Sequence, residues 1–267
     1  MDILKTSLAP ITEAAWAEIY EEATDIFSSV LSARKFVDVD GPKGLDYSGV
    51  HTGRIDIESN KNDSVQYGLN RLLPLVETRA GFSLDIWELD NASRGAEDVN
   101  LENLEKAARE IASFEEKAIY YGLEKAGIEG ISQQAEHKSV ELPESTNELM
   151  NTLSKELTVF KCGGIEGPYS LVLNENDWER ISSQIDDYPL RRQIKDMLEG
   201  SIILSPFING GFLVSERGGD FRLTLGQDLS IGYHFHDKET VELYFTESFT
   251  FQCFEPQAVC VFSKPGN

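Results

Sequence analysis

The longest helical pattern of the sequence runs from residue 101 to residue 126, and it limits the possible folds more than any other feature. Apolar side chains recur there at three- and four-residue steps, and proline is absent throughout. At 1.5 Å per residue such a helix would be about 39 Å long. Gly127 follows the run and is placed to end it, because glycine tolerates the left-handed conformation of a helix cap.

A second amphipathic helix is predicted from Thr12 to Leu31. Glutamate and aspartate occupy the face opposite its apolar stripe. An acidic face is unlike that of a membrane-surface helix, which carries lysine and arginine, so the stripe is expected to contact protein. Packing in the chain's own core accounts for such a stripe without any partner. The apolar positions are Trp16, Ile19, Tyr20, Ala23, Phe27, Val30 and Leu31.

The remaining pattern predicts an α+β fold. Residues 49–57 have the pattern of a strand, and the polar turn after them offers no side chain to fill a core, which indicates a protruding arm. Residues 79–90 alternate as a further strand. The middle third alternates short strands with short helices, whereas only strands and turns follow Gly211. The first and last thirds are therefore expected to form one domain around an insertion at residues 134–212.

The glycine-rich stretch from residue 215 to residue 237 raises the question of a phosphate-binding loop. It contains neither GxGxxG nor GxxxxGK[ST], and no helix follows it that could receive a phosphate. The adjacent Gly218 and Gly219 suit a tight turn with positive φ instead. The stretch therefore predicts β-hairpins.

Composition argues against several partners. The net charge is −22, from 46 acidic and 24 basic residues, so the surface should repel nucleic acid and anionic lipid. No apolar run approaches the ~18 residues of a membrane span, and no secretion signal is recognisable. Three cysteines without CxxC spacing predict reduced thiols. Together these features predict a cytoplasmic protein with no nucleic-acid and no membrane partner.

Chemical motifs are few. His234 and His236 lie two apart on a predicted strand beside Asp237, which is half of a metal site at most. A solvated strand end is the preferred interpretation, so no metal site is predicted. No GxSxG motif occurs, and carboxylate pairs are expected by chance among 46 acidic residues. No catalytic residues are predicted, and Trp87 is better explained by core or interface packing than by ligand stacking.

Four long segments resemble one known family: "MDILKTSLAPIT", "ARKFVDVDGPKG", "LPLVETRAGFSLDIWELD" and "SERGGDFRLTLGQDLSIGY". In this order and at this spacing they closely resemble encapsulins, the shell proteins of bacterial and archaeal nanocompartments. The resemblance implies the HK97 phage-like capsid fold, with a P-domain that carries a long spine helix, an E-loop and an A-domain. It assigns the N-terminal helix and the start of the P-domain to 1–48, the E-loop to 49–66, the P-domain with its spine helix to 67–133, the A-domain to 134–212 and further P-domain strands to 213–267.

The resemblance also implies a function. Such chains assemble into a closed icosahedral shell, here expected to hold about 60 subunits under closed point-group symmetry. The shell encloses a cargo enzyme, either a ferritin-like iron-storage protein or a dye-decolorising peroxidase, through the cargo's C-terminal targeting peptide. The matching docking positions are Phe27, Leu31, Arg34, Val37, Asp38, Leu229, Ile231 and Tyr233. Arg34 and Asp38 are expected to orient the polar ends of the peptide.

Two further expectations follow from the resemblance. Asp186, Asp187 and Tyr188 would lie at the five-fold pore, which admits small substrates or iron. No cofactor is required, and a flavin site at Trp87 and Arg79 is a secondary expectation. The alternatives are a viral or prophage major capsid protein of the same fold and, from a different class, a hydrolase.

Overall fold

The computed structural model describes residues 3–59, 64–184 and 189–263. These residues form two five-stranded sheets, a separate two-stranded hairpin and helices that pack on the sheets. The helices are α1 (Glu13–Val30), α2 (Ile86–Arg94), α3 (Glu102–Tyr121), α4 (Ile131–Gln134), α5 (Thr146–Cys162), α6 (Glu175–Ser183) and α7 (Leu190–Leu198). The strands are β1 (Asp38–Asp40), β2 (Gly49–Ile57), β3 (Gly68–Pro74), β4 (Val76–Asp85), β5 (Val140–Glu141), β6 (Tyr169–Leu173), β7 (Ile202–Leu204), β8 (Gly211–Ser215), β9 (Phe221–Leu225), β10 (Ser230–His236), β11 (Thr240–Cys253) and β12 (Val259–Ser263).

The predicted N-terminal helix is confirmed as α1. Thr12 is its N-cap, because the threonine side chain accepts a hydrogen bond from the backbone N–H of Ala15. Aliphatic and alanine side chains of the stripe are buried, whereas Phe27 is half-buried at the edge of the stripe. The helix therefore packs on the core and still presents an aromatic ring at the surface.

The long helix is shorter than predicted. α3 ends at Tyr121, and its 20 residues span about 30 Å. Gly122 has φ +86°, and a Cβ atom there would lie 2.8 Å from the carbonyl oxygen of Ile128. The chain therefore turns at this glycine, and residues 124–126 form only a 3-10 turn before Gly127.

The first sheet has β11 at its centre. β4 pairs antiparallel with β11 along one edge. Along the other edge, β10 pairs antiparallel with the first half of β11 and β9 with the second half, and β1 pairs in parallel with β9. α1 and α3 cover this sheet, and the core between them contains Ile19, Leu104, Ile111 and Phe245. The sheet and these two helices position the candidate site.

The predicted hairpins of the glycine-rich stretch are wrong. β8 and β9 flank Gly218 and Gly219, whose φ angles are +81° and +83°, but the two strands belong to different sheets. β9 and β10 also do not pair with each other. Both pair with β11, and residues 226–229 interrupt them as a bulge. Alternation identified the strands correctly, but it carries no information about which strands pair.

The predicted strand at residues 79–90 ends early. The carboxylate of Asp85 accepts hydrogen bonds from the backbone N–H groups of Trp87 and Glu88, and it thereby caps α2. Trp87 therefore lies in the first turn of a helix. This explains why it is out of phase with the strand before it.

The second sheet has the order β5-β12-β8-β6-β7, with α5, α6 and α7 in the same part of the chain. All five residues of β6 are buried. The assignment of all residues 213–267 to the P-domain needs correction, because Val259–Ser263 pairs with β8 and β5 in this second sheet. The boundary at residue 212 also falls inside β8. The apolar strand β12 lies between β5 and β8 inside this sheet. Sequence order alone does not show that the chain returns to the second sheet at this point.

The hairpin of β2 and β3 forms its own two-stranded sheet. It extends to Pro74, beyond the E-loop boundary at residue 66. Large apolar side chains are exposed along it, and Ile57 is the most open at 75%. The exposed apolar residues of this arm are Ile55, Ile57, Val65, Tyr67, Leu69 and Leu72. Among the residues that the structure describes, no helix is long and apolar enough to cross a membrane.

Candidate docking groove and the acid cluster beneath it

A surface groove lies where α1 ends, between the turn after that helix and the bulge at residues 226–229. Its volume is about 430 Å³. Of the eight predicted docking residues, four line this groove: Phe27, Leu31, Arg34 and Leu229. Sequence reasoning missed the other four lining residues, which are Thr24, Ser28, Lys35 and Asp228. The groove thus has an apolar floor and a polar rim.

The floor is held rigidly by the core below it. The ring of Phe27 packs edge-on against Phe245 at 5.2 Å between centroids, and Phe245 in turn contacts Phe82 at 4.8 Å. Leu31 is only 5% exposed, so it supports the floor from below, whereas Phe27 and Leu229 are half-buried. An apolar ligand would therefore contact chiefly Phe27 and Leu229.

The other four predicted docking residues lie elsewhere. Ile231 is buried in the core beneath the sheet. Tyr233 lies further along β10, where its backbone N–H donates to the carbonyl of Leu4 and its hydroxyl contacts Nδ1 of His236 at 2.6 Å. Val37 is buried in the second core cluster, which contains residues of both five-stranded sheets. Asp38 accepts a hydrogen bond from the backbone N–H of Gly219.

Arg34 is engaged inside the subunit. Its Nε donates to both oxygens of Glu115 at 3.0 and 3.1 Å, and its Nη2 donates to Glu115 at 2.6 Å and to Glu247. Nη1 donates to Asp228 at 2.8 Å. Burial alone would lower the pKa of Arg34. The hydrogen bond and the charge of Glu115, and next the charge of Glu247, outweigh burial, so the pKa of Arg34 lies above its ordinary value. These contacts leave one N–H of the guanidinium for an external ligand.

Two of these acids are fully buried. The side chains of Glu115 and Glu247 are 1% and 0% exposed, and both face the same guanidinium. Burial, and next the negative charge of Glu115, raise the pKa of Glu247 well above its ordinary value of 4.5. Oε2 of Glu247 is buried and meets no donor among the described residues. Glu247 is therefore protonated more easily than an exposed glutamate, and the negative charge of Glu115 beside it favours that proton.

A separate buried acid holds the same turn from its other side. Glu116 accepts hydrogen bonds from the backbone N–H of Ala33 at 2.8 Å and from the hydroxyls of Ser32 and Ser205. Burial raises the pKa of Glu116 to about 7, against the effect of these donors. Tyr120 hydrogen-bonds to Ser32 and completes this network.

Comparison with known proteins identifies the family. Residues 1–250 match the family described as "Encapsulating protein for peroxidase". The chain belongs to this family, the encapsulins. It is 38% identical to the type 1 encapsulin shell protein of Mycobacterium tuberculosis over 97% of this chain and 98% of that one. It is 39% identical to the shell protein of Rhodococcus erythropolis, again over 97% and 98%.

Solved structures confirm the encapsulin fold class. The virus-like particle from Pyrococcus furiosus matches with a TM-score of 0.64 and 16% identity, over 92% of this chain and 98% of that one. The capsid of Myoviridae Phage XM1 matches with a TM-score of 0.55 and 12% identity, over 87% and 92%. The predicted resemblance to encapsulins and the α+β HK97 phage-like capsid fold are both confirmed.

The acids missed in this encapsulin chain did leave a signal in the sequence. Glu247 takes the inward phase of β11, between buried Phe245 and buried Phe249. Glu115 lies four residues after Ile111, on the buried face of α3. An acid at an apolar phase of a helix or strand predicts a buried partner, and Arg34 is that partner. Asp228 had no comparable signal, because the bulge that presents it was predicted as a hairpin turn.

The residues expected to bind flavin are not brought together in one encapsulin subunit. Trp87 is 69% exposed on α2, and its ring lies 5.8 Å from the guanidinium of Arg94. Arg79 bonds Glu77 at 2.9 Å and lies over the ring of Tyr244. Six strand residues separate Arg79 from the end of β4, a distance of about 20 Å. Each residue therefore has its own partner within the subunit.

The remaining chemical predictions for this encapsulin chain concern its pore and metals. Asp186, Asp187 and Tyr188 lie outside the described residues. Within the ranges that are described, no three His, Cys, Asp or Glu side chains are grouped to hold a metal ion. His236 is engaged with the hydroxyl of Tyr233.

Proposed function

We propose that this chain is the shell subunit of an encapsulin nanocompartment in the cytoplasm, and that the shell encloses a peroxidase. The observation that carries the cargo proposal is the apolar groove at the end of α1, in a chain whose family is described as encapsulating a peroxidase. The shell is a closed icosahedron of about 60 copies. The reaction belongs to the cargo, and openings in the shell admit its small substrates.

The groove suits one occupant, the C-terminal tail of the cargo. A short apolar segment of such a tail would cover the exposed faces of Phe27 and Leu229, which the subunit itself leaves half-buried. Thr24 and Ser28 are exposed on the rim. The hydroxyl of Thr24 donates to the carbonyl of Tyr20 and can accept a hydrogen bond from the backbone of the tail, and the hydroxyl of Ser28 can donate or accept one. Arg34 has a supporting part in this proposal, because most of its N–H groups are already bonded inside the subunit.

The arm supports the assembly part of the proposal. Four of its six exposed apolar residues, Ile55, Ile57, Leu69 and Leu72, lie on β2 and β3, and a two-stranded sheet has no second layer to cover them. Burial of one such side chain in a neighbouring subunit is worth about 1.5–3 kcal/mol. A closed shell repeats this gain at every copy.

Cargo loading tests the proposal. The probe is a fluorescent protein fused to the C-terminal tail of a dye-decolorising peroxidase, one of the two cargo classes that the sequence resemblance implies. Co-expressed with the wild-type chain, it should co-elute with particles of shell size. Leu229→Asp should give particles of the same size that are empty of probe, because an apolar tail that covers this position would have to desolvate the new charge. Leu31→Asp is a poorer test, because burial of Leu31 makes the subunit itself unstable to that change.

The matched control is Val159→Asp on α5, which changes an equally apolar, exposed residue outside the groove. Equal probe content in Leu229→Asp and Val159→Asp particles would contradict docking in this groove. The alternative of a prophage capsid of the same fold rests on the likeness to phage capsids. Nuclease-resistant nucleic acid in purified particles would support that alternative and overturn the nanocompartment.

A further inference from the structure

Glu247 lies at the meeting point of the elements that form the docking groove. It belongs to β11, under the bulge, and bonds Arg34 in the turn after α1. Arg34 also bonds Glu115 of α3. We propose that Glu247 is a positioning residue for the groove: acting through Arg34, it fixes the two walls of the groove at the separation that the cargo tail requires. This inference rests on the proposed function.

The link between the walls is direct. One wall of the groove is its side at the end of α1, with Leu31 and Arg34. The other wall is the bulge, with Asp228 and Leu229. Nη1 of Arg34 reaches Asp228 at 2.8 Å, and the same carboxylate oxygen accepts the backbone N–H of Leu229 at 2.8 Å. The position of the guanidinium therefore decides the position of Leu229. Glu247 and Glu115 hold that guanidinium from below, which leaves Nη1 directed at the bulge.

The charge of the cluster favours a hydrogen-bonded Glu247 over an ionised one. The charged groups that face it are Arg34 from the turn, Glu115 from α3 and Asp228 from the bulge. On β4, the residue paired with Glu247 is Thr78. Glu247 also lines a small pocket of about 120 Å³ together with Glu77 and Tyr47. Three ionised carboxylates would leave two uncompensated negative charges beside one guanidinium. A proton on Glu247 removes one of them and adds a hydrogen bond to Glu115.

Two substitutions separate positioning from simple filling of space. Glu247→Gln keeps an acceptor for Arg34 and a donor for Glu115, so it reproduces the protonated acid. Glu247→Met has similar length and volume but lacks both groups. A residue needed only for packing would be replaced equally well by either side chain. A positioning residue is replaced by glutamine alone.

The experiment measures loading of wild-type, Glu247→Gln and Glu247→Met shells with the same fluorescent probe. Glu242→Gln and Glu242→Met, on the same strand but half-exposed, are the controls. Glu247→Gln should load as the wild type does. Glu247→Met should form particles of normal size with about tenfold weaker retention of probe, because one buried charged hydrogen bond is lost. Hydrogen exchange of residues 226–231 in empty shells should rise in Glu247→Met and stay unchanged in Glu247→Gln.

Each outcome decides one of the two proposals. Equal loading and equal exchange in Glu247→Met and the wild type would overturn positioning by Glu247. Failure of Glu247→Gln together with Glu247→Met would overturn it as well. Wild-type shells that never retain the probe would overturn docking of a cargo tail, and the exchange data from empty shells would still decide whether Glu247 fixes the groove wall.

Discussion

The docking groove and the β2–β3 arm both expose apolar side chains, but they differ in how those side chains are supported. Phe27 of the groove packs on Phe245, and the charges below it are buried and paired. The arm has one layer, and its ion pair between Arg71 and Asp56 is open to solvent. The groove is therefore supported from below within one subunit, whereas the apolar side chains of the arm are left uncovered. The proposed cargo surface and the proposed assembly surface thus differ in local structure.

The largest effect should come from the arm. Ile57→Asp combined with Leu69→Asp should abolish assembly, because both side chains are exposed in the subunit and each would carry a charge into any interface. Size-exclusion chromatography and negative-stain microscopy would show small species in place of particles. Circular dichroism should remain that of a folded subunit.

The control for the arm variant is His51→Asn, a change of one exposed polar residue on the same hairpin. Full-size particles from the doubly charged variant would show that the arm is not an assembly surface.

The next largest effect should come from the acid cluster beneath the groove. Arg34→Met removes the guanidinium and leaves Glu115 and Glu247 buried without a cation. Breaking a buried ion pair by removal of one partner costs about 3–5 kcal/mol. The free energy of unfolding per subunit, from urea titration followed by tryptophan fluorescence, should fall by that amount. A loss no larger than that of an exposed arginine would contradict a structural role for the cluster.

A smaller, pH-dependent effect is expected at Glu116. Its pKa is about 7 in the folded chain against an ordinary 4.5, so the folded state binds the proton more tightly than the unfolded state. The stability linked to this proton is complete below pH 4.5 and is lost as pH rises through about 7. Glu116→Gln should therefore gain stability over the wild type across this interval, by at most about 3 kcal/mol at its upper end. Urea titrations at several pH values measure this difference.

Glu129→Gln, a change of an acid that is exposed beside α4, provides the baseline for the Glu116 series. Parallel pH profiles for the wild type and Glu116→Gln would show that Glu116 keeps its ordinary pKa in the folded chain.

The smallest effect should come from the exposed ion pair of the arm. Arg71→Met removes the partner of Asp56 in full contact with water, where ion pairs contribute little. The urea midpoint should not change measurably, in contrast to Arg34→Met. A large loss of stability would show that the arm is as rigid as the groove, and the contrast between the two regions would fail.

Residue patterns predicted the parts of this fold that local chemistry decides. The apolar stripe predicted α1, with Phe27 on the apolar face. Alternation of apolar and polar residues predicted most strands of the last third. The end of α3 at Gly122 could not be predicted, because it depends on the close approach of Ile128, which is a tertiary contact. The pairing of β9 could not be predicted for the same reason, since β9 pairs with the far half of β11, beyond β10 in the sequence.

The docking site was predicted only in part. Phe27 and Leu31 follow from the apolar stripe, and Leu229 from the resemblance. Arg34 was assigned to the ligand, but its acids come from residues 115, 228 and 247, far apart in the sequence. Val37 and Asp38 are near Arg34 in sequence, yet neither lines the groove, because the chain continues there into β1, which pairs with β9. The docking role of the groove remains a prediction.

The bulge between β9 and β10 forms one wall of the groove, and its residues belong to neither strand. Gly226 and Gln227 hydrogen-bond to Ser248 and keep the register of β11 on either side of it. A Cβ at Gly226 would lie 2.5 Å from the hydroxyl of Ser248, so this position is restricted to glycine. Asp228 and Leu229 carry no such restriction from the sheet. Under the proposed function, substitution of these two adjacent residues would change which tail the groove binds, while the strand pairing of the sheet is kept.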